Sequence, residues 1–109
     1  MTTLVKRLKE ARLAAGLSQE KLGIEAGIEP ASASARMNQY ENGKHVPNPG
    51  TVLQISAALN LPVAYFYSAD DDEARLLMLF HRMSLEARQA LLKEAEAVVG
   101  AGGRKAAKK

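Results

Sequence analysis

LSQEKLGIEAGIEPASASARMNQYENG, at residues 17–43, is the stretch of sequence that decides the fold. Ser18 is a typical N-cap residue, and Gly27 and Gly43 suit the left-handed positions that end helices. The stretch therefore predicts two short helices joined by a tight turn. Because two such helices bury only their facing sides, helices before and after the stretch must complete an all-α core. The outward side of the pair is left as the working surface.

The start of the second helix in this stretch has two interpretations. Pro30 suits a first helical position, whereas Ser32 or Ser34 could instead be the N-cap, with residues 28–33 in a longer turn. In the first helix, Gly23 lowers helix stability by about 1 kcal/mol relative to alanine, unless the missing side chain allows a favourable contact. A closely approaching helix at Gly23 would be such a gain.

The flanking sequence predicts three more helices within residues 1–67. Thr2 or Thr3 can cap a first helix, Asn48 can cap a fourth, and PVAYFY at residues 62–67 forms a short fifth. In the first helix, the apolar positions recur at spacings of three and four, which is typical of a buried face. These inward positions are Leu4, Val5, Leu8, Ala11 and Ala15, and the positions assigned to the other faces are Lys6, Arg7, Lys9 and Glu10.

Residues 68–99 predict a further pair of helices, the second capped by Ser84. Their apolar side chains are too many for a solvated hairpin. They must either cover the preceding helices as a cap or form a two-fold dimer interface, for which the expected contacts are Leu91, Leu92, Val98 and Val99. Residues 100–109, GAGGRKAAKK, contain only glycine, alanine and basic residues, and we expect them to be a disordered basic tail.

Composition narrows the possible functions. The 109 residues carry a formal net charge of +3, which is too mild to establish a nucleic-acid partner by itself. The absence of cysteine excludes disulfides, thiolate metal sites and cysteine nucleophiles. His45 and His81 have no accompanying ligand cluster, and no nucleophile or phosphate-loop motif is present, so we expect no metal, no cofactor and no enzyme activity. No apolar run approaches the roughly 18 residues of a membrane helix, which favours a cytoplasmic protein.

Four separate motifs carry a resemblance to a known family. LSQEKL, AGI, YENGKHVP and LNLPVAYFY, at these spacings, make residues 3–67 resemble the lambda-repressor-like, or Xre-type, helix-turn-helix DNA-binding family. The resemblance implies a five-helix DNA-binding domain in residues 1–67, followed by the C-terminal helical hairpin. It also implies a transcriptional regulator, most simply a repressor, that binds operator DNA as a homodimer and places the helix ending at Asn42 in the major groove.

The resemblance also assigns roles to individual residues. Gln39 would bond to adenine, Arg36 to guanine, and Ala35 would contact a thymine methyl group. The complete set of implied base-reading residues is Ser34, Ala35, Arg36, Asn38 and Gln39, and the implied phosphate-contacting residues are Gln19, Lys44, His45 and Asn48. Arg12 and Glu41 match a structural ion pair that ties the first helix to the recognition helix.

One departure from the family pattern bears on this assignment. The thirteen positions from Gly27 to Tyr40 exceed the spacing of typical members by about four residues, close to one helical turn. Either the recognition helix is longer at its N-terminal end, which pushes Glu29 and Pro30 toward the groove, or the turn is looped out. The alternative function is a helix-turn-helix adaptor or antitoxin-like module that binds protein, which would be favoured if Glu20, Glu25 and Glu29 dominated the outward face. The sequence shows no small-molecule effector site.

Overall fold

The computed structural model describes residues 2–102 and confirms an all-α fold over that range. Five of the helices precede residue 68, the last of them a 3-10 helix, and two follow it. The helices are α1 (Thr3–Ala14), α2 (Gln19–Glu25), α3 (Pro30–Glu41), α4 (Pro49–Leu59), the 3-10 helix Val63–Tyr67, α5 (Asp71–Arg82) and α6 (Leu85–Gly102).

Side-chain caps determine where several helices begin. Each cap oxygen accepts a hydrogen bond from a backbone N–H group that has no partner within the helix, which stabilises a helix by about 1 kcal/mol. The cap before α1 is Thr2, one of the two predicted candidates. The donor-to-acceptor distances are 3.2 Å from Val5 N to Thr2, 3.0 Å from Lys21 N to Ser18, 2.8 Å from Thr51 N to Asn48 and 2.9 Å from Glu73 N to Asp70.

The structure decides between the two interpretations of the α2–α3 turn. Helix α3 begins at Pro30, with Glu29 as its N-cap, and runs for twelve residues. Only residues 26–29 separate it from α2. Proline is favourable at this position because its fixed φ angle suits a helix and its missing N–H would have no helical partner. The extra residues therefore lengthen α3, and the turn stays short.

Helices α2 and α3 cross in close contact at Gly23. A Cβ atom on Gly23 would lie 2.8 Å from the Cβ atom of Ala33 and 2.9 Å from the Ala33 carbonyl oxygen. Both residues are buried. The close approach explains the glycine in the middle of a helix, as the sequence suggested, because any side chain there would force the two helices apart.

A single apolar cluster holds α1 to α4, the 3-10 helix and α5 together. Phe66, Leu8, Leu22 and Met37 are its largest fully buried side chains, and Phe66 meets Tyr65 edge to face at 5.2 Å between ring centroids. Ala74 of α5 belongs to the same cluster. Helix α5 is therefore seated on the preceding domain and is not a separate unit.

Two expectations for α1 were wrong. Ala15 follows the helix and is exposed, because Ala15 is the C-cap and the chain turns away at Gly16. Arg7, assigned to the solvent, is only 3% exposed. Its guanidinium group is buried because acceptors on residues distant in sequence surround it, as described below.

Helix α6 contributes little to the core. Residues 85–101 of α6 are all exposed or half-buried. Leu85, Leu92, Val98 and Val99 are among the exposed ones. The helix continues to Gly102, so residues 100–102, which were assigned to the tail, are helical; Gly100 disfavours a helix by about 1 kcal/mol but does not forbid one. Residues 103–109, the rest of the expected tail, lie outside the described residues.

Candidate nucleic-acid interface

Helix α3 has a buried face and an opposite face that is open to solvent. Ala33, Met37, Tyr40 and Glu41 are its buried residues. Because successive helical positions rotate by about 100°, Ala35 and Gln39 lie opposite this buried face, with Arg36 and Asn38 on either flank. Ser34 lies on the side nearer α2. The five side chains predicted to read bases thus all lie on α3. Four of them are exposed, and Gln39 is half-buried.

Behind this face, a buried ion pair fixes α3 to α1. Arg12 donates from Nε to Glu41 Oε2 at 2.5 Å and from Nη2 to Glu41 Oε1 at 3.0 Å. Its Nη1 atom donates to the Leu17 carbonyl at 2.8 Å. The hydrogen bond to Glu41 raises the pKa of the Arg12 guanidinium, against the opposing effect of burial. The structure thus brings together the two residues that the sequence paired.

Gln19 extends this network to the outward face. Its Nε2 atom donates to Glu41 Oε1 at 3.1 Å and to Asn38 Oδ1 at 3.2 Å. Since a carboxamide nitrogen carries two hydrogens, both are used in these bonds, and none remains for a phosphate in this arrangement. The side chain of Gln19 therefore holds the Oδ1 atom of Asn38, a residue that is itself exposed.

The loop after α3 is bonded back onto the end of the helix. Gly43 adopts a left-handed φ of 78°, and the backbone N–H groups of Lys44 and His45 both donate to the Gln39 carbonyl, at 3.0 and 3.3 Å. These amides are thus already occupied, while the Lys44 and His45 side chains are exposed. Asn48 uses its Oδ1 atom to cap α4, so any phosphate contact from its side chain must come from Nδ2.

Charge is unevenly distributed along the candidate interface. Arg36 and Lys44 are exposed on the C-terminal half of α3 and in the following loop, where DNA phosphates would be attracted. Glu20, Glu25 and Glu29 are exposed on α2 and at the start of α3. The Lys21 ammonium lies 3.7 Å from the Glu25 carboxylate and offsets part of that negative charge. Exposed positive charge is therefore concentrated toward the C-terminal end of α3 and the loop after it, and exposed negative charge toward its N-terminal end.

Sequence reasoning missed the role of Arg7, although a signal was present. Arg7 lies three residues after Leu4 and four before Ala11, so helical spacing places it on the inward face. Its charge led to its assignment to solvent. The bridging role of Gln19 was also missed, because its partner Asn38 is nineteen residues away in the chain.

Comparison with known proteins agrees with this architecture. The Helix-turn-helix domain family matches residues 3–65. The chain belongs to this family. It is also similar to the crystal structure of transcriptional regulator BswR, with a TM-score of 0.83 and 40% sequence identity, covering 94% of this chain and 100% of that one. No curated protein matches the chain. The helix-turn-helix is a motif that places its second helix in the major groove of DNA.

Neither a metal-binding cluster nor a membrane-spanning helix is present in the part of the chain that the structure describes. Residues 2–102 contain no group of three or more histidine, cysteine, aspartate or glutamate side chains that could hold a metal ion. None of their helices is long and apolar enough to span a membrane.

Proposed function

We propose that this protein is a sequence-specific, double-stranded DNA-binding transcriptional regulator of the lambda-repressor-like, or Xre, type, and that it acts in the cytoplasm as a repressor. One observation carries the proposal. The outward face of α3 presents Arg36, Asn38 and Gln39 from a helix that is anchored from behind by the Arg12–Glu41 ion pair. A rigid helix with exposed polar side chains suits direct reading of base edges.

Each proposed base-reading residue has a chemical preference. Gln39 can form two hydrogen bonds with adenine, and Arg36 can form two with guanine; each such pair is worth about 1–3 kcal/mol of discrimination. Asn38, held by Gln19, offers its Nδ2 donor to an acceptor on a base edge. Ser34 can bond to either kind of base, and Ala35 can contact a thymine methyl group.

Phosphate contacts would set the register of the protein on DNA. Lys44 and His45, in the loop after α3, are exposed beside the base-reading helix, and Asn48 follows at the start of α4. Gln19 would have to give up one of its present hydrogen bonds to reach a phosphate. We therefore assign the main phosphate contacts to the loop, which makes affinity depend on salt but not on sequence.

A homodimer completes the proposal. Helix α6 exposes Leu92, Val98 and Val99, and its eighteen residues contribute no described residue to the core. Such an apolar face marks an interaction surface. A second copy of the same face, with Leu91 beside it, offers self-complementary apolar contacts, and a two-fold dimer matches a palindromic operator with two half-sites.

Selection of bound sites from random duplex DNA tests the function. We expect enrichment of a symmetric motif whose half-sites lie about one helical turn, or a multiple of it, apart. Arg36→Ala should relax the preference at a single base position in each half-site, whereas Arg75→Ala, an exposed arginine on α5, should leave the motif unchanged. A pool without enrichment would sink the regulator proposal.

The second candidate is an adaptor or antitoxin-like module whose ligand is a protein. The exposed glutamates at positions 20, 25 and 29 favour it, since negative charge repels DNA phosphates. Replacing the three with glutamine separates the candidates. It should raise DNA affinity if the outward face meets DNA, and it should leave DNA binding absent if the face serves only a protein partner.

A further inference from the structure

Three arginines form hydrogen bonds across the successive connections that lead from the DNA-binding helices to α6. Each donates from two of its guanidinium nitrogens to two backbone carbonyl oxygens, an arrangement that fixes direction as well as distance. Arg7 braces the linker before α5, Arg82 braces the end of α5 against α4, and Arg88 braces the turn between α5 and α6.

Arg7 holds the first joint from a buried position. It donates from Nε to the Ser68 carbonyl at 3.0 Å and from Nη2 to the Ala69 carbonyl at 3.2 Å. Its Nη2 atom also lies 3.0 Å from Asp71 Oδ1, at the start of α5, and its Nη1 atom lies 3.1 Å from Glu10 Oε1. One side chain of α1 therefore ties down both the linker and the first turn of α5.

Arg82 and Arg88 hold the two joints beyond. Arg82 donates from Nε to the Asn60 carbonyl at 3.0 Å and from Nη2 to the Leu59 carbonyl at 3.1 Å, at the C-terminal end of α4. Arg88 donates from Nε to the Phe80 carbonyl at 2.9 Å and from Nη2 to the His81 carbonyl at 2.7 Å. The Arg88 guanidinium also lies 5.0 Å from the centre of the Phe80 ring.

These hydrogen bonds restrict the rotation that short linkers would otherwise allow α5 and α6 relative to the preceding helices. Arg7 and Arg82 act at opposite ends of α5, a helix of twelve residues that spans about 18 Å. Ala74, in the first turn of α5, is buried in the apolar core and adds a packing contact near the Arg7 end of the helix. Two attachments separated along the helix oppose rotation of α5 about either one. Arg88 then carries the same orientation across the turn into α6.

We propose that Arg7, Arg82 and Arg88 are positioning residues that set the half-site spacing of the operator. The inference rests on the proposed function, because it requires DNA binding through α3 and dimerisation through α6. When the path from α3 to α6 is rigid, the two recognition helices of a dimer lie at one fixed separation and angle. Both can then enter successive major grooves at only one spacing. A loose joint would accept several spacings, at a lower effective concentration of the second domain.

The test measures affinity for a set of duplexes in which two selected half-sites are moved apart one base pair at a time across a full helical turn. The wild type should show one sharp maximum, at least about 10-fold above spacings two base pairs away. Arg88→Gln and Arg82→Gln should flatten this profile and lower its maximum about 10-fold. Their affinity for a single half-site and their dimer mass should stay unchanged.

Arg75→Gln is the matched control, because it removes the same charge from an exposed position on α5 and should keep the wild-type profile. Arg7→Gln should act like the other two variants, and Arg82→Gln and Arg88→Gln keep the test decisive if burial of Arg7 makes that variant unfold. Equal profiles in wild type and all variants, or a flat wild-type profile, would overturn the inference while DNA binding stands. A wild type that bound no selected duplex or stayed monomeric would instead overturn the proposed function, and this inference with it.

Discussion

Arg12 and Glu41 link stability to recognition at the scale of single residues. Both charges are buried, and Glu41 also accepts from Gln19, which orients Asn38. Removing one partner leaves the other charge buried without compensation, so Arg12→Met should lower the free energy of unfolding by about 3–5 kcal/mol. Urea denaturation followed by circular dichroism measures the loss. Lys21→Met, which breaks the exposed pair with Glu25, should cost less than about 1 kcal/mol; equal losses would contradict this account.

Gly23 is a second position where one atom decides the packing. Gly23→Ala should destabilise the protein by about 1–2 kcal/mol, because the clash with Ala33 outweighs the better helix propensity of alanine. Gly100→Ala makes the same change in α6, where nothing lies within 4 Å of the added atom. It should be neutral or stabilising by up to about 1 kcal/mol. Urea midpoints that moved the same way for both variants would show that the crossing at Gly23 is not tight.

Asp71 makes the stability of the fold depend on pH in the acidic range. The hydrogen bond from Arg7 and the nearby charge of Lys6 lower the pKa of its carboxyl below the ordinary 3.8. A depressed pKa in the folded state stabilises the fold above the unfolded-state pKa, and this contribution disappears as the pH falls through the folded-state value. Asp71→Asn should therefore destabilise the protein at neutral pH and show a shallower loss of stability below about pH 4. Urea midpoints measured from pH 7 to pH 2.5 compare the two proteins, and identical slopes would count against the contact.

The residues that sequence reasoning placed well have local or family signatures. Thr2, Ser18 and Asn48 cap helices through partners three residues away, and such spacing is visible in the chain itself. Two of the acceptors of Arg7 are backbone carbonyls 61 and 62 residues away. A carbonyl has no sequence signature, because every residue carries one, so these partners of Arg7, unlike its inward position, became evident only when the fold placed residues 68 and 69 beside α1.

At the scale of elements, α3, the proposed recognition helix, is the part of the fold whose start the sequence left open. Helix propensity alone allowed α3 to begin at Pro30 or three to five residues later, because proline suits a first helical position and Ser32 and Ser34 are both good N-cap residues. In the structure α3 begins at Pro30, and its early residue Ala33 packs against Gly23 of α2. The added N-terminal turn carries only small side chains between Pro30 and Arg36, so close approach to DNA at that end is sterically open.

The proposed dimer interface on α6 can be tested by mutation. Leu92→Glu combined with Val99→Glu would place charges in the proposed two-fold interface, where like charges from the two copies would meet, and the dimer should dissociate. Light scattering at tens of micromolar should then give the monomer mass for the variant and twice that mass for the wild type. Gln89→Glu, on an exposed position of the same helix, is the control and should remain dimeric. A monomeric wild type would refute the interface.

At the scale of the whole molecule, basic and acidic side chains are unevenly distributed along an elongated molecule. The described residues extend over 54 × 30 × 22 Å. Residues 1–67 have seven basic and five acidic side chains, whereas residues 68–99 have four basic and seven acidic ones. The basic unit suits DNA phosphates and the acidic helical pair is repelled by them, so the pair should lie away from the duplex and leave α6 free to meet a second copy.

The ratio of affinities for a selected operator and a scrambled duplex of equal length tests the central claim most directly. The wild type should prefer the operator by about 1,000-fold or more at physiological salt. Gln39→Ala should lower that ratio by about 10- to 100-fold through its loss at one base pair of each half-site. Gln89→Ala, on α6, should leave the ratio unchanged. A wild-type ratio near one, or an unchanged ratio in Gln39→Ala, would contradict sequence reading by α3.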